Sequence, residues 1–375
     1  MNIRKFLKSF LMHLAYYTRN RKRKSVYFVS FGGQYSDSPR AISEAIHVID
    51  PTIHLVWRAE VGVEMPSYVE KVYTHRDAMI AQARADAWVM NNMSDPDRGT
   101  WKSPSVFFVE TWHGDRGFKK IAYAAKSSMG GAYHEIASNK ANFDLFTAAS
   151  DYGEMKARKG LLYKGEVLKI GLPRNDKLIH PEKHAQYASE VRRKLGISDK
   201  VKILLYAPTF RDKSKGKQQV LVDLTQVMEE LKKTGYDWIC LVRAHRVSKE
   251  LDFDPNICKD VTSFGDMSDL LLVADCLISD YSSCSGDFIL TGRPCVLAHY
   301  DRADYETSAR TLWYNPDQTG YLIAKNCDEM MHIMSHLYEY DHKAISSKVL
   351  DFYKSYDTDN SAEVVAQRIV NWVNR

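Results

Sequence analysis

The chain has 375 residues, too many for one ordinary hydrophobic core and suited to two α/β domains of roughly 150–200 residues each. An apolar content of 45% and a charged content of 26% are those of a globular protein, and no run of about 18 apolar residues is present to cross a membrane as a helix. The net charge of +5 is concentrated: the first 24 residues hold eight basic side chains and no acid, so without them the balance reverses to −3. That distribution argues against a broad nucleic-acid surface. Six cysteines with no C-x-x-C pair, several inside apolar runs, fit buried free thiols better than a disulfide framework or a zinc site.

In chain order, the first element is a helix. Ile3, Phe6, Leu7, Phe10, Leu11, Leu14 and Tyr17 recur at helical spacing, with Arg4, Lys5 and Lys8 opposite and a basic run, Arg19–Lys24, behind. This pattern predicts a basic amphipathic helix (residues 1–24) lying on an anionic membrane surface as a peripheral anchor, with packing of the helix on the protein body as the alternative. Strands and helices then alternate. The apolar runs Val26–Phe31, Ile53–Trp57, Ala87–Asn91, Val106–Glu110, Leu145–Ala149 and Val167–Ile170 read as strands, with helices over Pro39–Val48, Asp77–Arg84 and Asp151–Lys159.

A charged helical stretch at Pro181–Leu195 separates this half from a second one. There the strands are Val201–Tyr206, Trp238–Val242, Val261–Phe264, Cys276–Ser279, Cys295–His299 and Tyr321–Ile323, with helices over Asp223–Lys233, Asp266–Val273, Asp287–Leu290 and Asp328–Tyr338. The fold class expected is α/β, two domains with parallel sheets facing a central cleft: residues 25–183 and 184–345, followed by a helical segment, 346–375, that crosses back towards the first domain. Neither a G-x-G-x-x-G after the first strand nor a P-loop is present.

Three segments place reactive groups directly after predicted strands, where ligands bind in open α/β sheets. They are Glu110-Thr111-Trp112-His113-Gly114, Leu241-Val242-Arg243-Ala244-His245 and Ser279-Asp280-Tyr281-Ser282-Ser283. The last, running into Asp287-Phe288, has the paired hydroxyls and amides of an anion cradle.

With Gly171-Leu172-Pro173-Arg174-Asn175-Asp176, Ala207-Pro208-Thr209-Phe210-Arg211 and Tyr305-Glu306, these segments fall in a collinear order across roughly residues 105–310. In that order the chain resembles the CDP-glycerol glycerophosphotransferase family of teichoic-acid and capsule polymer synthesis. The resemblance implies a GT-B-like architecture of two Rossmann-like domains. It also implies transfer of a polyol phosphate from CDP-glycerol or a related CDP-polyol to a lipid-linked or polymer acceptor, with release of CMP, at the cytoplasmic face of the membrane. The family's His-Gly-Thr-Pro-Leu-Lys is here His113-Gly114-Asp115-Arg116-Gly117-Phe118-Lys119, one residue longer and differently charged, in a loop expected to face the acceptor.

On this reading His113 and His245 are the candidate catalytic histidines, with His113 the general base. Gly114 allows close approach, and Lys119 attracts an anionic acceptor. Arg243 and His245 share one side of a strand end and face the diphosphate, with Arg211 as a second phosphate clamp. Ser282 and Ser283 bind the diphosphate, Asp280 orders their turn, and Asp287 accepts from a ribose hydroxyl or stabilises its helix. No metal motif and no cofactor is expected; Mg²⁺ accompanying the nucleotide stays open, and no nucleic-acid partner is implied. The competing readings are a CDP-ribitol-dependent transferase, a nucleotide-sugar glycosyltransferase, and a non-catalytic membrane-bound assembly protein.

Overall fold

A computed structural model describes residues 3–93, 101–125, 142–209, 218–244, 251–308 and 311–375. Seven short apolar runs, β1 (Ser25–Val29), β2 (His54–Arg58), β3 (Val69–Val72), β4 (Ala87–Met90), β5 (Phe107–Glu110), β6 (Leu145–Ala148) and β7 (Glu166–Lys169), make one parallel sheet of order β3-β2-β1-β4-β5-β6-β7. The later strands are β8 (Lys202–Ala207), β9 (Gln218–Gln219), β10 (Trp238–Val242), β11 (Leu251–Asp252), β12 (Cys258–Asp260), β13 (Cys276–Ser279), β14 (Cys295–Ala298) and β15 (Leu322–Ala324). Of these, β9 and β11 pair alone, and the rest form a second parallel sheet of order β12-β10-β8-β13-β14-β15. In both sheets the order runs outwards from a central strand and then reverses, the pattern of doubly wound sheets.

Both faces of each sheet are buried. Along β1, Tyr27 and Val29 enter one core while Val26 and Phe28 enter the other, as a period of two requires. In the second sheet Leu205, Leu241 and Leu277 face one core, and Tyr206, Val242 and Ile278 face the opposite one. All six cysteines are free, five of them buried.

The helices that matter for the site are α1 (Ile3–Tyr17), α2 (Asp37–Ile49), α3 (His75–Arg84), α4 (Asp151–Gly160), α5 (Met267–Val273), α6 (Cys284–Phe288) and α7 (Ser361–Val373). Polar side chains fix their starts: the Ser150 hydroxyl accepts from the Gly153 amide before α4, and Asp266 accepts from the Ser268 amide before α5. The last helix, α7, packs Val365, Ala366, Ile369 and Val370 into the core under β1 and α2, far along the chain from those elements.

The expected alternation of strands and helices in parallel sheets is what the structure has, with local differences; the short pair β9 and β11 is absent from the sequence reading. β3 has no counterpart in the sequence reading, because it is an edge strand in which Glu70 and Lys71 interrupt the apolar pattern. The strand expected at Val261–Phe264 lies earlier, at β12, where Cys258 sits in register with Cys240; Phe264 turns back to the Val261 carbonyl. The helix expected at Asp287 begins at Cys284 and tightens into a 3₁₀ turn over Ile289–Thr291.

Burial pushes the Asp176 carboxyl up to about 7, against the Ala362 amide at 2.7 Å, which favours its charged form at the start of α7. A folded-state pKa above the unfolded value near ~3.9 contributes stability that is complete below the unfolded value and is lost as pH rises through the folded one. Stability is therefore expected to fall between about pH 4 and pH 7 through this group, and denaturation profiles of Asp176→Asn should be flatter over that window. Profiles that superimpose would show that Asp176 does not titrate there.

Candidate active site

In each sheet the strand order reverses at one point, and loops leaving the two strands there splay apart to leave a crevice. In the first sheet the reversal lies between β1 and β4, in the second between β8 and β13. The two crevices share one cleft of about 560 Å³, lined by Phe31, Trp112 and His113 from one side and by Arg243, Ser282 and Ser283 from the other. Gly114, Lys119 and Asp287 also line it, while Asp280 lies behind it. His245 and Arg211 lie outside the described residues.

His113 follows β5. Its Nδ1 is 2.6 Å from the carbonyl oxygen of Asn91, the residue after β4. A carbonyl only accepts, so Nδ1 carries the proton and the neutral ring has its lone pair on Nε2. The Phe31 ring stands edge-on to it at 5.3 Å, and Trp112 lies at 4.4 Å. The backbone bends sharply here: Trp112 has φ +54°, unusual for a bulky side chain. Beyond it the chain runs against the turn that follows β13. A Cβ on Gly114 would meet Ser283 Oγ at an ordinary 3.4 Å, whereas one on Gly117 would lie only 3.0 Å from Ser283 Cβ, so Gly117 is the position where a side chain would crowd the contact.

The opposite wall is an ordered turn. Asp280 accepts from the Thr209 amide at 2.9 Å and from the Tyr281 amide at 2.6 Å, tying the ends of β8 and β13 together. The Tyr281 ring is sandwiched between His299 at 4.4 Å and Tyr305 at 3.9 Å, so neither of its faces is open to a nucleobase. Lys119 extends its ammonium to within 5.8 Å of the Tyr305 ring. Because α6 is only five residues long, its helix dipole is small, and the polar groups this wall offers are chiefly hydroxyls and turn amides.

A buried ion network lies under the cleft, and little in the amino-acid order signals it. Arg174 donates to Asp287 at 2.8 Å, to Asp37 at 3.1 Å and to the His113 carbonyl at 3.2 Å. Asn175 donates to the second Asp287 oxygen at 2.8 Å. Arg116, fully buried, donates to the Gly286 carbonyl at 2.6 Å and to both Asp357 oxygens, with Asp287 3.8 Å away. Burial works against both guanidinium charges, but the surrounding carboxylates outweigh it and raise both pKa values. The Asp37 amide in turn donates to Asp266 at 3.0 Å, and Arg40 pairs with Asp269 at 3.0 Å. The network thus bolts α2 to α5 and the His113 loop to α6.

Two expectations change in consequence. Asp115 and Arg116, the charged pair in the lengthened loop, are buried and turned into the body; Asp115 accepts from the Ala149 amide at 2.8 Å. Their charges therefore do not face an acceptor. Asp287 reaches the cleft wall with both oxygens already engaged by Arg174 and Asn175. The Pro173-Arg174-Asn175-Asp176 segment, which reads as a turn, delivers the central cation of the network. Among the described residues no group of three or more His, Cys, Asp or Glu side chains is placed to hold a metal ion.

The family model described as CDP-glycerol:poly(glycerophosphate) glycerophosphotransferase matches residues 11–371. The chain is similar to a teichoic acid poly(glycerol phosphate) polymerase of Staphylococcus epidermidis, 32% identical over 79% of this chain and 43% of that one. It thus spans less than half of that polymerase. A teichoic acid glycerol-phosphate transferase of Staphylococcus aureus is 28% identical and is matched over 98% of this chain and 99% of its own length. The solved structure of an H548A variant of the wall teichoic acid polymerase TagF superposes with a TM-score of 0.84 at 26% identity, covering 100% of this chain and 96% of that one. A TagF variant soaked with CDPG superposes at 0.83 with 25% identity, over 100% and 99%. Residues that form the cleft and residues that form the core both fall within the matched span, and the chain belongs to the CDP-glycerol:poly(glycerophosphate) glycerophosphotransferase family.

Proposed function

We propose that the chain transfers glycerol phosphate from CDP-glycerol to a hydroxyl of a membrane-associated acceptor, in teichoic-acid or capsular polymer synthesis, and releases CMP. The observation that carries this reading is the meeting of a proton acceptor and an anion cradle across one cleft. The His113 ring, with its lone pair on Nε2, stands on one wall, while Ser282, Ser283 and Arg243 stand on the other. In the reaction the acceptor oxygen bonds to the glycerol-bearing phosphorus and its proton passes to His113 Nε2. The bond from that phosphorus to the bridging oxygen breaks, and CMP leaves with that oxygen. Arg243 and the serine hydroxyls compensate the diphosphate charge, and Lys119 draws in an anionic acceptor. The two doubly wound sheets facing this cleft support a GT-B-like architecture.

The test is protection against thermal unfolding by a panel of nucleotides. Cytidine nucleotides are expected to raise the unfolding midpoint of the wild type, and to do so much less in Arg243→Ala. A preference for uridine or guanosine diphosphate sugars would replace this reading with glycosyl transfer.

Membrane association belongs to the same proposal, in a form the structure modifies. No described helix is long and apolar enough to cross a membrane. On α1, Met12 and Ala15 pack on Met79 and Ala83 of α3, and Tyr16 is also buried. Phe10, Leu14 and Tyr17, spaced along the outer face, are 56%, 50% and 69% exposed. Of the basic residues behind the helix, Arg19 pairs with Asp86 and Arg23 with Glu70.

Deleting residues 1–24 would therefore strip part of the core as well as a membrane anchor. Phe10, Leu14 and Tyr17 changed together to serine should abolish pelleting with anionic vesicles while leaving the unfolding midpoint unchanged. Equal pelleting of variant and wild type would remove α1 as the contact.

A further inference from the structure

His113 stands between two aromatic residues whose backbones lie where bulky side chains rarely go. Phe31, after β1, has φ +44°, and Trp112, after β5, has φ +54°. That left-handed region is sterically costly for a large side chain, and a residue is kept there only where its surroundings impose the geometry. Both rings lie against the imidazole, Phe31 edge-on at 5.3 Å and Trp112 at 4.4 Å, and both line the cleft.

Each strained residue is pinned through its backbone amide by a buried side-chain oxygen. The Phe31 amide donates to Asn91 Oδ1 at 3.3 Å, and the Trp112 amide donates to Glu110 Oε1 at 2.9 Å. Asn91 follows β4 and Glu110 ends β5, next to the apolar core residues Val89, Met90, Phe108 and Val109. Both polar residues are themselves 0% exposed. Burying an amide or a carboxyl there costs free energy unless its polar atoms find partners. Asn91 uses both ends of its side chain on the chain leading from β1 to α2. Besides holding Phe31, its Nδ2 donates to Ser30 Oγ at 3.0 Å, and Ser30 Oγ lies 3.2 Å from Ser36 Oγ just before α2. The Asn91 carbonyl meanwhile accepts from His113 Nδ1. One buried asparagine thus reaches the imidazole twice, through its own carbonyl and through the Phe31 ring.

We propose that Asn91 and Glu110 are positioning residues for the base: by holding the Phe31 and Trp112 amides they keep two rings closed on His113, so that its proton stays on Nδ1 and its lone pair on Nε2. This rests on the phosphotransfer reading above, with His113 as the base. Neither residue touches substrate. Both act through the aromatic rings, as the third member of a catalytic constellation orients a base. An imidazole free to turn away from the Asn91 carbonyl would exchange tautomers and present the wrong nitrogen for part of the time.

Asn91→Ala and Glu110→Ala are each expected to lower kcat for CDP-glycerol by about tenfold or more, with KM and CMP affinity by calorimetry within about threefold of wild type. Glu110→Gln, which keeps an oxygen for the Trp112 amide, should recover most of the loss seen in Glu110→Ala. A smaller loss in either alanine variant would overturn the proposal, as would Glu110→Gln no more active than Glu110→Ala, or CMP affinity falling in parallel with kcat. The tautomer supplies a readout that general loosening of the fold does not give. With ¹⁵N-histidine labelling and assignment by His113→Ala, neutral His113 should carry its proton on Nδ1 in the wild type and become a mixture of tautomers in the alanine variants. One unchanged tautomer in all three proteins would overturn the positioning role.

A further measurement uses wild-type protein and does not depend on those variants folding. With ¹⁵N-tryptophan labelling, the Trp112 amide, assigned by Trp112→Phe, should exchange with solvent within about 100-fold of the rate for Trp88 in the core of β4, because its N–H is held by a buried oxygen. Faster exchange would equally overturn the proposal. If wild-type protein neither binds nor turns over CDP-glycerol, the phosphotransfer reading itself falls. Wild-type turnover matched by both alanine variants overturns the positioning role alone.

Discussion

His113→Ala is expected to abolish transfer from CDP-glycerol while cytidine nucleotides still bind. The ring is held on a wall of the cleft by its Nδ1 contact of 2.6 Å to the Asn91 carbonyl, with Phe31 and Trp112 limiting its rotation. That contact fixes the tautomer, so the basic nitrogen is set by the fold and not by the substrate. General base catalysis is typically worth 10² to 10⁴-fold, and a loss of about that size is expected in single-turnover assays with saturating donor. The nucleotide contacts proposed for Ser282, Ser283 and Arg243 come from strand ends of the second sheet, so CMP affinity should change little. A variant that retains near wild-type turnover would exclude His113 as the base. One that loses CMP affinity together with turnover would place His113 in the nucleotide site instead.

Asp287→Ala is expected to produce the largest loss of stability of any single change near the cleft. Its two oxygens accept from Arg174 and Asn175, and Arg116 lies 3.8 Å away. Removing one partner of a buried ion pair leaves an uncompensated charge and costs about 3–5 kcal/mol. Arg116 keeps Asp357, so most of that penalty falls on Arg174, which among the described residues retains Asp37 and the His113 carbonyl. Because Arg174 holds that carbonyl, some loss of turnover should accompany the loss of stability. Chemical denaturation of Asp287→Ala and of the double variant Asp287→Leu with Arg174→Met checks this, the double variant being expected to recover much of the loss. A cost below about 1 kcal/mol for Asp287→Ala would mean that the network carries little stability and that the carboxylate is available to a ribose hydroxyl.

The sequence on its own determined the class of fold and the position of the cleft. Runs such as Val26–Val29, Phe107–Val109 and Cys276–Ile278 are apolar on both faces, a pattern satisfied in a parallel sheet covered by helices on either side. Polar groups placed directly after such runs, at His113, Arg243 and Ser282-Ser283, then fall at strand ends. Edge strands are less legible: in β3 the exposed Glu70 and half-buried Lys71 lie between the buried Val69 and Val72 and mask its pattern.

What only the tertiary structure decided is how the cleft is held. Lys156 reads as an ordinary cation on a helix, Arg174 as part of a turn and Arg116 as a loop substitution. Each is buried through partners 39 or more residues away, among them Gly117, Asp287 and Asp357. The helix α1 divides in the same way. Its apolar spacing is visible in the sequence, but only packing on α3 separates Met12 and Ala15, which face the body, from Phe10, Leu14 and Tyr17, which face outwards. Local periodicity records which residues avoid water, because that depends on their own side chains. Which charge compensates which depends on distances between segments remote in the chain, and these exist only once the two sheets have packed across the cleft.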